Sequence, residues 1–246
     1  MEACLLSFLS LESCVLSLIR CVYFYFVRLS QTEENYLKAI YKLSEGGNNN
    51  ASTNDLSGAL QNRAASVTDM LGKLSNKNLI TYKKYRGVTL TPKGREIALN
   101  VIRKHRLWEC FLVQKLKFTW DEIHEVAEQL EHIQSERLIE RLEEFLGFPK
   151  SDPHGEPIPT ASGLLHEPEQ IEMNQTKAGD KVKVSMVKQD DAEFLESLAK
   201  QNIAVGSVLN VVAVSERDGV VLKAARRKVK LGAESARHIF VRRINS

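Results

Sequence analysis

The order of elements over residues 30–92 constrains the fold of this 246-residue chain more than any other feature. Ser30 precedes an apolar stripe of Tyr36, Leu37, Ile40, Tyr41 and Leu43, and Glu33 follows it by three positions. That is the capping-box pattern of a helix, here running to about residue 45. A GGNNN loop follows, then a short helix over residues 52–60, a turn at Gln61 and Asn62, and a second helix over 63–78. Val67, Leu71 and Leu74 give that second helix an inward face. Residues 79–92 alternate as two strands around a basic turn at 84–87. Helix, turn, helix and a two-stranded wing make a winged helix, whose second helix enters the major groove with its first residues nearest the bases.

The candidate DNA-contacting residues are therefore Arg63, Ala65, Ser66, Thr68, Asp69 and Lys73 on that helix, with Lys83, Lys84 and Arg86 on the wing. Arg63 suits a guanine edge or a phosphate, and the hydroxyls of Ser66 and Thr68 suit phosphates. The wing cations suit the backbone and would make affinity salt-dependent. Charge supports this reading. The net charge is only +3, yet residues 61–106 hold eleven Lys/Arg against two acids, and residues 107–152 hold eleven acids against five bases. A polyanion surface beside a cation site is the implied pairing.

Beyond the wing, Pro92 opens a long helix to about residue 114. Further helices are expected over 119–131 and 135–146, and a Pro/Gly-rich loop over 152–160. Five short strands follow, over 181–187, 208–214, 220–224, 228–231 and 238–241, with one helix over 194–200, as in a small barrel. Four cysteines without a CxxC pair exclude a structural zinc site and a disulfide framework, and fit a cytoplasmic protein. Residues 1–27 form an apolar extension. Glu12 and Arg20 interrupt it, so it makes a poor membrane span. The reading adopted is that it lies upstream of the true start, with Val27 as a GTG start codon.

The stretch HEVAEQLEH at 124–132 carries the second functional signal. At about 3.6 residues per turn, His124, Glu128, Glu131 and His132 project from one side of a helix. His105 and Glu109 repeat the one-turn spacing upstream. Singly, such residues are ordinary surface groups. Together they suit a divalent transition metal. The spacing is not the HExxH of zinc hydrolases.

Several segments, in order, resemble the diphtheria-toxin-repressor family of iron- and manganese-dependent regulators. They are TEENYLKAI at 32–40, SVT at 66–68, LTPKG at 90–94, RKHRL at 103–107 with Glu109, the 124–132 stretch, DPHGEPIP at 152–159 and, more weakly, IAVGS at 203–207. The resemblance implies a mainly α chain with small β elements: a winged helix-turn-helix at 28–93, a helical dimerisation and metal-binding domain at 94–160, a linker at 161–177 and an SH3-like β-barrel at 178–246. It implies two metal sites per subunit. One would use His105, Glu109 and His124 with Asp190 and Glu193. The other, activating site would use Glu128, Glu131 and His132 with Asn35. Glutamate at 128 favours Mn²⁺ over Fe²⁺, whereas the neutral amide of Asn35 withholds charge. The implied protein is a homodimeric, cytoplasmic, non-enzymatic repressor. It binds double-stranded operator DNA when metal-loaded, controls metal-uptake and homeostasis genes, and takes neither a small-molecule substrate nor a membrane. A metal-independent winged-helix regulator and a di-metal hydrolase are the rival readings. The hydrolase would need an open coordination position and a separate general base.

Overall fold

The computed structural model describes residues 29–44, 46–47, 49–83, 86–120, 122–165, 169–188, 191–224 and 227–244. The N-terminal extension, Lys84 and Asp190 lie outside the described residues. The chain divides into two compact units between Leu90 and Thr91.

The first unit holds α1 (Gln31–Leu43), α2 (Thr53–Ala59), α3 (Ala64–Asn76), β1 (Ile80–Lys83) and β2 (Gly87–Leu90). The capping box forms as expected. Ser30 accepts from the Glu33 backbone N–H, and Glu33 accepts from that of Ser30. Tyr36, Leu37, Ile40, Leu56, Val67, Leu71 and Leu74 are buried, so the three helices share one core. The wing strands pair antiparallel, Ile80 opposite Leu90, and Ala51 bridges Val88 as a short third strand. Gly87 makes that bridge possible. Its φ is +89°, and a Cβ there would sit 2.8 Å from the Ala51 carbonyl oxygen.

Glu33 also closes a long-range pair, its carboxylate 2.6 Å from the Lys77 ammonium. Burial works against ionising Glu33, but the bond and charge of Lys77 and the Ser30 N–H outweigh it and hold the carboxyl below its usual value. A depressed folded value stabilises the protein above the unfolded value of about 4.3. That contribution drains away as pH falls through the folded value. Wild type should therefore lose more stability than Glu33→Gln between about pH 5 and pH 3, by urea titration of the helical signal. Parallel profiles would show that the pair contributes nothing.

The second unit opens with α4 (Pro92–Leu116), which has Thr91 as its N-cap and proline at its first position, and which ends at Lys117 in the left-handed region. Against it pack α5 (Ile123–Leu130) and α6 (Glu136–Phe145). Leu107, Leu112, Ile123, Ala127, Ile139, Leu142 and Ile158 form the core. Six further strands follow: β3 (Ile171–Glu172), β4 (Lys181–Val187), β5 (Val208–Ser215), β6 (Gly219–Ala224), β7 (Arg227–Leu231) and β8 (Ile239–Arg243). They form one antiparallel sheet in the order β3-β8-β4-β5-β6-β7. Two short helices, α7 (Ala192–Lys200) and α8 (Ala233–Arg237), accompany it. The linker expected over 161–177 behaves differently at its end. Residues 171–175 form β3 and a 3-10 turn, and Met173 is fully buried in the core of the sheet domain. A two-residue strand is too short to show alternation, so the polar sequence around it reads as linker.

Candidate metal centre and nucleic-acid interface

His105 and Glu109 stand one turn apart on α4, on the face that α5 covers, and both are buried. His124 lies in the first turn of α5. One ligand atom from each of these three residues lies within 4.8 Å of the other two. Two imidazoles and a carboxylate so gathered fit a divalent transition metal. The distances run as a chain of alternating acids and imidazoles. Glu128 Oε1 is 3.5 Å from His124 Nε2, and His124 Nδ1 is 3.7 Å from Glu109 Oε1. That oxygen is 3.1 Å from His105 Nε2, and His105 Nδ1 is 2.6 Å from Glu131 Oε2. Glu131 Oε1 is 3.7 Å from His132 Nε2.

Charge at the centre follows from this chain. Burial alone would raise the Glu109 carboxyl, but the bond from His105, the His124 ring 3.7 Å away and the nearby charges of His105 and His154 hold it well below the usual carboxylate range. Glu109 is thus an anion in a buried place, which is what a cation site needs. Cys110 beside it is not among the described residues whose ligand atoms converge, and its thiol donates to the Ser151 carbonyl. Burial, reinforced by Asp152 and Glu109, pushes its thiol up to about 12.

The two expected ligand groups are not cleanly separate. Glu131, fully buried at the end of α5, bonds His105 of the first group. Glu128 is half-exposed and leans on His124. Asn35 belongs to the first unit, on α1, where its Oδ1 is buried without a hydrogen-bond partner. Glu193 lies exposed in the first turn of α7 and is not among the described residues whose ligand atoms converge.

The segment at 152–159 has side chains to which the sequence alone assigns no role. In the structure it is an anchor. Asp152 Oδ1 accepts from the backbone N–H groups of His154 and Glu156, at 2.8 and 2.9 Å. Arg106, on α4, donates to the Pro157 carbonyl at 2.6 Å, pairs with Glu156, and lies 3.5 Å from Asp152. Burial and the charges of Glu109 and Glu156 push the Asp152 carboxyl up, against the pull of Arg106. The His154 ring meets Trp120 edge-on at 5.4 Å, and its Nε2 is buried without a hydrogen-bond partner. The sequence signal for an anchor was present: two acids, a histidine, a glycine and three prolines in eight residues.

The described nucleic-acid candidates lie on α3 and the wing. Arg63 is the N-cap of α3 and makes no side-chain capping bond. Arg63, Ala65, Ser66, Thr68, Asp69 and Lys73 are all exposed, while Val67, Leu71 and Leu74 on the other face are buried. Thr68 Oγ1 donates to the Ala64 carbonyl. Lys83 and Arg86 are exposed at either side of the wing turn.

Known proteins agree with this architecture. The iron dependent repressor N-terminal DNA binding domain matches residues 28–88, the iron dependent repressor metal binding and dimerisation domain matches 91–160, and the FeoA domain matches 171–243. The chain is 27% identical to the iron-dependent repressor IdeR of Mycobacterium leprae over 228 residues, covering 88% of this chain and 99% of that protein. It is 36% identical over 118 residues to an HTH-type transcriptional regulator of Methanocaldococcus jannaschii, covering 48% of this chain and 94% of that protein. A manganese-dependent transcriptional repressor, solved in complex with manganese, superposes with a TM-score of 0.79 at 34% identity, covering 86% of this chain and all of the other. No helix among the described residues is long and apolar enough to cross a membrane. With its DNA-binding, metal-binding and FeoA domains in order, the chain belongs to the family of iron- and manganese-dependent transcriptional repressors.

Proposed function

We propose that this chain is a cytoplasmic, non-catalytic repressor of metal-uptake and homeostasis genes. It binds operator DNA as a homodimer when loaded with Mn²⁺ or Fe²⁺ at two sites per subunit. The observation that carries the reading is the buried convergence of His105, Glu109 and His124. These three residues would hold one ion, and Glu128, Glu131 and His132 the other. Asn35 stays in the second ligand group, supported by its buried, unpartnered amide oxygen. Asp190 and Glu193 remain proposed contributors to the first. A bound divalent ion supplies positive charge to a cluster of buried acids and imidazoles. The chain's own residues do the rest: Arg106 and Asp152 fix the neighbouring loop, and Glu131 joins the two ligand groups through His105.

The dimer face we assign to Leu138 and Phe145 on α6, with Phe148 just beyond. All three are large apolar side chains left exposed. Trp108 and Leu112, apolar residues of the same domain, are buried in its core and are not part of that face. On α3, Arg63 is assigned to a base edge or phosphate, with Ala65, Ser66, Thr68, Asp69 and Lys73 beside it, and Lys83, Lys84 and Arg86 to the backbone.

Operator binding with and without Mn²⁺ or Fe²⁺, in wild type and Arg63→Ala, tests the proposal. Metal should tighten wild-type binding by about 5- to 150-fold, the span typical of allosteric linkage. Arg63→Ala should cost about 1–3 kcal/mol of affinity at every metal concentration. Equal binding with and without metal would leave a metal-independent winged-helix regulator.

A further inference from the structure

The sheet domain has a second charged surface that neither the metal centre nor α3 uses. Strands β4 to β8 alternate strictly enough to separate two faces. Val182, Val184, Leu209, Val211, Val220, Leu222, Leu231, Ile239 and Val241 are buried and fill the core. The outward positions carry Lys181, Lys183, Lys223, Lys228, Lys230 and Arg242, all exposed. None of the five strands contains an Asp or Glu. Strand pairing then aligns these cations. Lys181 stands opposite Asn210, Asn210 opposite Lys223, and Lys223 opposite Lys228, so one row crosses four strands. At about 4.8 Å between strands, the row spans about 14 Å. Lys183 stands opposite Arg242 in a neighbouring row, and Lys230 opposite Val221 extends the patch along β7.

Two features separate this face from ordinary solvated charge. Lys183 with Arg242, and Lys223 with Lys228, are like charges directly opposite each other, which destabilises a sheet. Lys230 has Asp218 at 3.7 Å, but among the described residues no carboxylate pairs with Lys181, Lys183, Lys223, Lys228 or Arg242. Lysines on an edge strand can serve to block sheet-to-sheet association. That explains Lys228 and Lys230 on β7, the last strand of the sheet. It does not explain Lys181 and Lys183 on β4, Lys223 on β6 or Arg242 on β8, which are interior strands.

We propose that this face binds the phosphate backbone of duplex DNA without reading sequence. Phosphate suits this face: five lysines and one arginine offer mobile point charges, the form in which lysine binds phosphate without fixing a register. Duplex DNA is the polyanion this family's N-terminal domain already engages, and a chain held there meets phosphate at high effective concentration. The proposal rests on the repressor reading only for that choice of polyanion.

The test uses the full chain and a mixed-sequence duplex of about 60 base pairs, with fluorescence anisotropy over a salt series. Each phosphate contact contributes about 0.9 to the slope of log affinity against log salt. Lys183→Gln/Lys223→Gln/Lys228→Gln should lower that slope by two to three units at about 0.9 per contact. Between about 50 and 200 mM salt, wild type should then lose about 40-fold more affinity than the variant. The triple Lys→Arg variant should keep the wild-type slope. Lys200→Gln, on α7 and paired with Glu196, should also leave it unchanged. An unchanged slope in the triple Gln variant overturns the proposal. So does a drop in Lys200→Gln equal to one third of that in the triple Gln variant, which would mean a net-charge effect. Binding of polyglutamate that is lost in the triple Gln variant, with DNA binding intact, would reassign the face to an acidic protein and overturn it too. None of these readouts needs metal or operator. A failure of the repressor reading shows separately, as an absent Mn²⁺ response on operator DNA.

Discussion

Glu131→Gln should abolish the metal response of DNA binding while leaving metal-free binding intact. The 5- to 150-fold tightening typical of a metal-coupled regulator should fall to about onefold. The geometry makes Glu131 the most sensitive single position. Its side chain is fully buried, one oxygen is 2.6 Å from His105 and the other 3.7 Å from His132. The amide is nearly the same size, so the core does not collapse. It lacks the negative charge that both imidazoles and a cation require. Operator titrations at fixed Mn²⁺, with calorimetry of Mn²⁺ binding alongside, read the effect directly. A variant that retained full metal response would remove Glu131 from the metal centre and reduce the buried acid to a structural partner of His105.

Gly155→Ala should be among the most destabilising small substitutions in the second unit. Gly155 has φ of +85°, a conformation that an L side chain adopts with strain. A Cβ there would sit 2.0 Å from the Ser185 carbonyl oxygen on β4, with Ser185 and Met186 backbone atoms around it. Neither neighbour can retreat, because the His154 carbonyl accepts from the Val187 N–H at 2.8 Å beside it. Backbone strain and overpacking together should cost about 3 kcal/mol or more. Trp120 reports the change. Its ring packs on His154 and against the core of the sheet domain, so its fluorescence should shift at lower urea in the variant. Coincident transitions in variant and wild type would show that the loop yields without cost.

The first unit was legible nearly to the residue, because each of its elements is fixed by local chemistry. A capping box starts α1, an inward stripe defines α3, and glycine turns the wing. The grouping of candidate ligand residues along α4 and along α5 was legible for the same reason, since one-turn spacing is a property of a single helix. How those helices face each other was not. The bond between His105 and Glu131 joins residues 26 positions apart, and no periodicity encodes it. The partners of the anchor loop were invisible in a different way. Asp152, His154 and Gly155 act through the strand they lie against, which is about 30 residues further along the chain. Met173 was missed because a buried residue in a two-residue strand leaves no pattern to count.

The seam at His154 and Gly155 bears on how the molecule can be taken apart. Residues 161–170 look like the natural place to cut, since they join a helical domain to a sheet domain. Cutting there would leave the His154 carbonyl without its Val187 donor and strip Trp120 of the apolar wall it rests on. A fragment ending near residue 165 would therefore carry a frayed 152–158 loop next to Arg106 and, through it, next to Glu109. Metal affinities measured on such a fragment would report the damage as well as the site. A cut between Leu90 and Thr91, where the chain divides into two compact units, keeps that seam whole, although it removes Asn35 from the proposed second ligand group.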